Sequence, residues 1–187
     1  MRTVLFGGTF DPIHNAHLEV AREVLRRFDV GRVVFIPAAN PPHKDGGVFA
    51  PFEDRVRMAE LACAGEPRFV VSRIEEGFAR SYSILTIEKM LEQGEGPLSF
   101  LIGADAFAEI ETWRRWRDVV RLVEFIVVTR PGAEWHMPED GRVLEMPGLF
   151  LPVSSSEIRK ALAAGDFDVP VPGDVLAWIR DRNLYRS

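Results

Sequence analysis

A chain of 187 residues, 47% hydrophobic and 27% charged, has enough apolar material for one domain with a sizeable core and is short for two. Its 13 Phe and 4 Trp beside ordinary Gly and Pro counts exclude a disordered tail, a collagen or a disulfide scaffold, and a formal charge of −5 argues against a nucleic acid polymer as partner. The apolar start MRTVLFGGTF is too short for a signal peptide, and no apolar run reaches the roughly 18 residues a membrane span needs. The expectation is a soluble, cytoplasmic chain.

Residues 3–6 open the chain with a short, almost continuously apolar run, and similar runs recur at 32–36, 68–72, 98–102 and 125–129. Such runs describe strands buried on both faces. After the first, Leu18, Ala21, Leu25 and Phe28 step by three, four and three residues, one apolar stripe with Glu19, Arg22 and Arg26 outward. Amphipathic stretches follow at 52–63, 84–91, 104–122 with room for a break, 157–163 and 175–182. Cys63, the one cysteine, stands beside Leu61 and Ala62 with no acidic or His neighbour and reads as core filler. Gly65, Gly94 and Gly165 lie where left-handed C-caps would go. Residues 130–148, rich in Pro, Gly and Glu, are expected to be an irregular excursion. Alternating strands and helices predict an α/β fold with a parallel sheet and right-handed crossovers, as a single domain over 1–187 whose C-terminal helical part covers about 154–187.

In an open parallel sheet ligands bind beyond the carboxyl ends of the strands, where strand order reverses. The loops after the predicted strands hold Gly7–His17, Pro37–Lys44, Gly103-Ala104-Asp105 and Arg130-Pro131-Gly132, with His14, His17 and His43 among them. The first loop lacks the lysine of a P-loop, and the Rossmann dinucleotide fingerprint is absent, since the second strand ends in Pro37-Ala38-Ala39 without an acidic residue. What remains is a glycine pair followed by His14 and His17, three residues apart around a helix start near Asn15. That spacing puts both imidazoles on one face at the helix end that attracts anions. Backbone-bonded cap histidines are the plainer alternative.

Ser154 and Glu157 form an S-x-x-E capping pattern, sufficient reason for both. Arg159 and Lys160, read as first-turn cations, would sit against the helix dipole, a local conflict that a bound polyphosphate would reverse. In Glu111–Arg117, Trp113 and Trp116 are expected to share a helix face, either packed in the core or stacking on an aromatic ligand, with the three arginines as a solvated face or a phosphate contact.

Together these residues carry a resemblance. GGTFDPIHNAH resembles the G-x-F-x-P-x-H-x-G-H signature of the HxGH nucleotidyltransferases, and SSSEIR resembles their I-S-S-T-x-I-R signature. Asn40-Pro41-Pro42-His43-Lys44, Ile102–Asp105, Trp113 and Thr129–Gly132 are similar to the bacterial nicotinate-nucleotide adenylyltransferase branch. The resemblance covers residues 7–159. It implies a doubly wound, Rossmann-like nucleotidyltransferase fold with C-terminal helices, and adenylyl transfer from ATP to nicotinate mononucleotide, giving deamido-NAD and pyrophosphate in NAD biosynthesis.

It further implies that His14, His17 and Arg159 are catalytic, acting on the ATP phosphates. Gly8, Thr9, Phe10, Gly103, Asp105 and Ser155 would bind ATP, and Asn40, Lys44, Ser83, Trp113 and Arg130 would face the mononucleotide. Mg²⁺ would arrive with ATP and need no dedicated protein ligands. Ala16 stands where the family has Gly, Ser156 where it has Thr, and Tyr82-Ser83 followed by Leu85 where the branch has Tyr-Thr and Asp. Ala16 is harmless if its φ is helical. Nicotinamide mononucleotide or phosphopantetheine are the alternative acceptors, and a non-catalytic nucleotide sensor the alternative class. Gly46-Gly47 predicts a mobile lid.

Overall fold

The computed structural model describes residues 1–41, 48–129, 132, 135–147 and 152–186. Six parallel strands, β1 (Arg2–Gly8), β2 (Val30–Pro37), β3 (Phe69–Val71), β4 (Leu98–Gly103), β5 (Glu124–Thr129) and β6 (Val143–Pro147), lie in the order β3-β2-β1-β4-β5-β6. The order reverses between β1 and β4, which places a crevice at their carboxyl ends.

The continuous apolar runs arise because both faces of the sheet are covered, and successive side chains alternate between two cores. Val4, Val33, Phe35, Leu101 and Ile126 belong to one core, with buried residues of α1 (Asn15–Arg27), α2 (Phe52–Cys63), α6 (Ser155–Ala163) and α7 (Gly173–Asp181). Leu5, Val34, Ile36, Phe100, Ile102, Phe125 and Val127 belong to the other, under α3 (Ser83–Glu92), α4 (Ala104–Ala108) and α5 (Trp116–Leu122). The sheet is doubly wound, as expected.

Three expectations need correction. The 130–148 segment contains a sixth strand: β6 pairs with β5 from Phe125↔Val143 to Thr129↔Pro147. At five residues on a sheet edge it needs little apolar signal of its own, and only Met146 is fully buried. The 104–122 stretch does hold a break, and the break overturns the helix face expected for its two tryptophans. After α4 comes a single 3₁₀ turn at Ile110–Thr112, then Trp113 in extended conformation, then Arg115 at φ 54° before α5 starts. Trp113 and Trp116 therefore do not share a helix face. Lastly, Gly94 and Gly165 take the left-handed φ of 80° and 81°, but Gly65 does not. No described helix is long and apolar enough to cross a membrane.

Candidate active site

The loop from β1 to α1 is built around a tight approach. A Cβ on Gly8 would meet the Phe10 ring at 3.1 Å, so a larger residue there would push the ring out of place. Phe10 holds φ 48°, costly for an aromatic residue, and packing secures it: the ring is buried against Phe6, Phe35 and His17 at centroid distances of 5.6, 5.8 and 5.1 Å. Asp11 then ties the loop to distant chain. Its carboxylate accepts from the Phe49 and Ala50 amides at 2.7 and 3.1 Å and from the Tyr185 hydroxyl at 2.7 Å.

His14 is the N-cap of α1 and His17 lies in its first turn; their rings stack at 3.7 Å and 24°. The His14 amide donates to Nδ1 of His17 at 3.2 Å, which assigns the proton of a neutral His17 to Nε2. Nδ1 of His14 is buried and has no hydrogen-bond partner among the described residues. Burial lowers the pKa of His14 to about 4, and burial with the neighbouring His14 holds His17 well below the usual imidazole range. Both rings are neutral at pH 7. Ala16 is helical, so the departure from Gly carries no backbone cost.

The amino end of α6 packs on this loop. Ser154 caps the helix, its Oγ accepting from the Glu157 amide at 3.2 Å and donating to the Glu157 carboxylate at 2.9 Å. Ser155 Oγ donates to the Pro12 carbonyl at 3.0 Å, and Arg159 donates to the Asp11 carbonyl at 2.7 Å and to Ser156 Oγ at 3.1 Å. The Arg159 guanidinium also stacks over exposed Phe49 at 4.1 Å. Because α6 begins at Ser155, Arg159 falls in its second turn and Lys160 in its last, where the dipole favours a cation. The conflict expected of two first-turn cations is absent.

A cavity of about 320 Å³ opens where the strand order reverses, lined by Gly7, Gly8 and Thr9 of β1 and its loop, Ile102 and Gly103 of β4, and Glu75, Ser83 and Trp113. A second recess of about 360 Å³ continues it, sharing Ser81, Ser83, Ala106 and Trp113 and adding Tyr82, Glu109, Thr112 and Arg114. Trp113 keeps its place by edge contact with Phe100 at 5.7 Å. Thus Gly8, Thr9, Gly103, Ser83 and Trp113 share one cavity. His14, His17, Ser155 and Arg159 form a polar cluster joined to it through Gly8–Phe10, and Asp105 follows Gly103 at the start of α4. Asn40 stands beside the cavity rather than in its wall: its amide nitrogen donates to the Phe78 carbonyl at 2.7 Å and its backbone pairs with Ser81.

Residues 5–161 match the model of the cytidylyltransferase-like family. The chain is 60% identical over 188 residues to a probable nicotinate-nucleotide adenylyltransferase of Solibacter usitatus, covering 99% of this chain and all of that one. It is 38% identical over 212 residues to one of Pelobacter propionicus, covering 99% and 98% of the two chains. The chain belongs to the nicotinate-nucleotide adenylyltransferase family. Its fold is that of Plasmodium falciparum nicotinic acid mononucleotide adenylyltransferase complexed with NaAD, at a TM-score of 0.77 with 19% identity over 98% of this chain and 97% of that one.

Two residues that matter to this adenylyltransferase fold carry no readable motif. Arg55, fully buried in α2, donates through Nη1 to the carbonyls of Thr9 and Ala38, both at 2.8 Å, and through Nε to that of Ala50 at 3.1 Å. One guanidinium therefore fixes the loops after β1 and β2. Burial lowers its pKa, opposed by Asp11, Tyr185 and Glu75. Glu75, buried in the cavity wall, accepts from Thr86 Oγ1 at 2.7 Å and the Ala39 amide at 3.3 Å. An apolar period predicts neither, because each is defined by carbonyls or amides distant in sequence. Among the described residues, no group of three or more His, Cys, Asp or Glu side chains could hold a metal ion. Lys44 and Arg130 lie outside the described residues, as do His43 and Gly46-Gly47.

Proposed function

We propose that the polar cluster and the cavity beside it divide the work of one reaction. The chain joins nicotinate mononucleotide to the adenylyl group of ATP, making deamido-NAD and pyrophosphate in NAD biosynthesis. The mononucleotide phosphate is anionic at pH 7 and is itself the nucleophile. Its oxygen attacks the α-phosphorus of MgATP, the bond from that phosphorus to the bridging oxygen of the β-phosphate breaks, and pyrophosphate leaves with the electron pair. No side chain has to be acylated or phosphorylated, so positioning and charge stabilisation suffice.

The observation that carries the assignment is the meeting of two helix amino ends at the carboxyl end of β1. Amide groups at the amino end of α6, the Nε2–H of His17, the His14 ring and the Arg159 N–H groups not given to Asp11 and Ser156 are donors for a triphosphate, and Ser155 joins them when its hydroxyl turns from the Pro12 carbonyl. Imidazoles that are neutral without ligand become better donors as phosphate charge approaches, which favours the transition state over the free site. Mg²⁺ travels on the triphosphate and keeps most of its waters.

Gly8, Thr9 and Phe10 offer backbone to the nucleotide, and Gly103 and Asp105 line its adenosine side. Trp113 stacks on the pyridine ring, with Ser83, Asn40, Lys44 and Arg130 on the mononucleotide. Residues 1–187 act as one domain, with the 154–187 part closing the phosphate side, in the cytoplasm.

The test follows pyrophosphate with ATP, Mg²⁺ and each acceptor separately. Release with nicotinate mononucleotide is expected. Release with nicotinamide mononucleotide or phosphopantetheine alone would overturn the acceptor, and ATP binding without release from any would make the chain a sensor.

A further inference from the structure

Three arginines follow one another around Trp113, and the structure separates them. Arg115 is bonded to Asp118 at 2.7 Å and Glu88 at 2.9 Å, and Arg117 lies over the Trp116 ring at 4.4 Å. Arg114 alone of the three lines the recess, its guanidinium 4.9 Å from the centroid of the Tyr82 ring. Among the described residues no carboxylate pairs with it, Glu109 of the same recess included. The left-handed Arg115 makes this separation, since it turns the chain between Trp113-Arg114 and α5.

The recess is the part of the cavity remote from the reacting phosphates. Gly7, Gly8 and Thr9 line only the inner cavity, and the recess reaches it past Ser83 and Trp113. On the proposed function, an acceptor that puts its phosphate beside Gly8–Phe10 and its pyridine ring on Trp113 leaves the ring substituent in the recess. We infer that Arg114, held over Tyr82, is a specificity-determining residue that reads the carboxylate of the pyridine ring and so separates the acid acceptor from its amide.

The physical reason is charge. A guanidinium offers a planar pair of donors that fits a carboxylate. A carboxamide presents no charge and points two donors of its own at those of the arginine. Stacking on Tyr82 keeps the fork in place without neutralising it, which an ion pair would do.

The test compares steady-state kinetics of wild type, R114A and R114K with nicotinate and nicotinamide mononucleotides, at saturating MgATP. Arg114 is exposed, so its truncation leaves the core intact, and equal thermal melting of the three proteins checks this. R114A is expected to raise KM for the acid acceptor roughly tenfold or more, with kcat and the KM for ATP near wild type and the amide acceptor little changed. The preference for acid over amide then falls by the same factor, and R114K, with charge but no fork, lies between. An acid-to-amide ratio that moves less than about twofold, or equal weakening of both acceptors, would overturn the inference. Wild-type protein that makes no product from nicotinate mononucleotide would instead overturn the proposed function beneath it.

Discussion

Replacing Arg55 by Met tests whether one buried guanidinium holds the two loops that frame the site. Met keeps the length and most of the packing but removes three hydrogen bonds, to the carbonyls of Thr9, Ala38 and Ala50. A carbonyl left buried without a partner costs about 1–3 kcal/mol. Against that stands relief from burying a cation, one of whose nitrogens, Nη2, has no partner among the described residues. The net expected loss is about 3–5 kcal/mol, or roughly 6–20 °C in Tm at about 2–4 °C per kcal/mol for a chain of this size. Urea unfolding followed by tryptophan fluorescence measures it. At a temperature where the variant is still folded, kcat/KM for pyrophosphate release should fall by a further factor of about 10–100, because Nη1 sets the loops after β1 and β2 against each other and small misplacements of reacting groups are costly. R55K should recover little, since one ammonium cannot reproduce the fork. A variant within about 1 kcal/mol of wild type, with unchanged kcat/KM, would refute the brace.

His14→Ala and His17→Ala should each cost about 2–4 kcal/mol in kcat/KM for pyrophosphate release if the imidazoles meet developing phosphate charge; wild-type rates in both would leave them as cap residues. Because the folded protein holds His14 near 4 while an unfolded imidazole titrates near 6.5, the unfolded state binds more protons as pH falls between those values, and stability is full above about pH 7 and lost toward pH 4. From His14 alone the loss between pH 7.5 and 5 is about 2 kcal/mol, with His17 acting in the same direction. Urea midpoints at the two pH values for wild type and His14→Gln check it, and equal slopes in both proteins would disprove the assignment. Burial pushes the Cys63 thiol up to about 12, so a thiol reagent at pH 8 should label it only at the rate of unfolding; rapid labelling of native protein would contradict its place in the core.

The sequence by itself determined the two-sided core and the start of α1. Continuous apolar runs leave a strand no choice but burial on both faces, and a spacing of three around Asn15 puts His14 and His17 on one face, where the structure stacks them. Ser154 and Glu157 marked the beginning of α6 for the same local reason.

Where partners come from far along the chain, only the tertiary structure decided. β6 exists because β5 offers it an edge, since five residues of mixed polarity have no period of their own. Trp113 leaves the helical stripe because the Arg115 turn breaks the 104–122 stretch into separate pieces. Arg159 finds the Asp11 carbonyl 148 positions away, and Arg55 joins carbonyls of two different loops, Thr9 after β1 and Ala38 after β2. The opening charge of −5 ruled out a long basic surface, yet it is a sum. Which arginines are neutralised, and which, like Arg114, keep their charge beside a cavity, depends on distances that only folding sets.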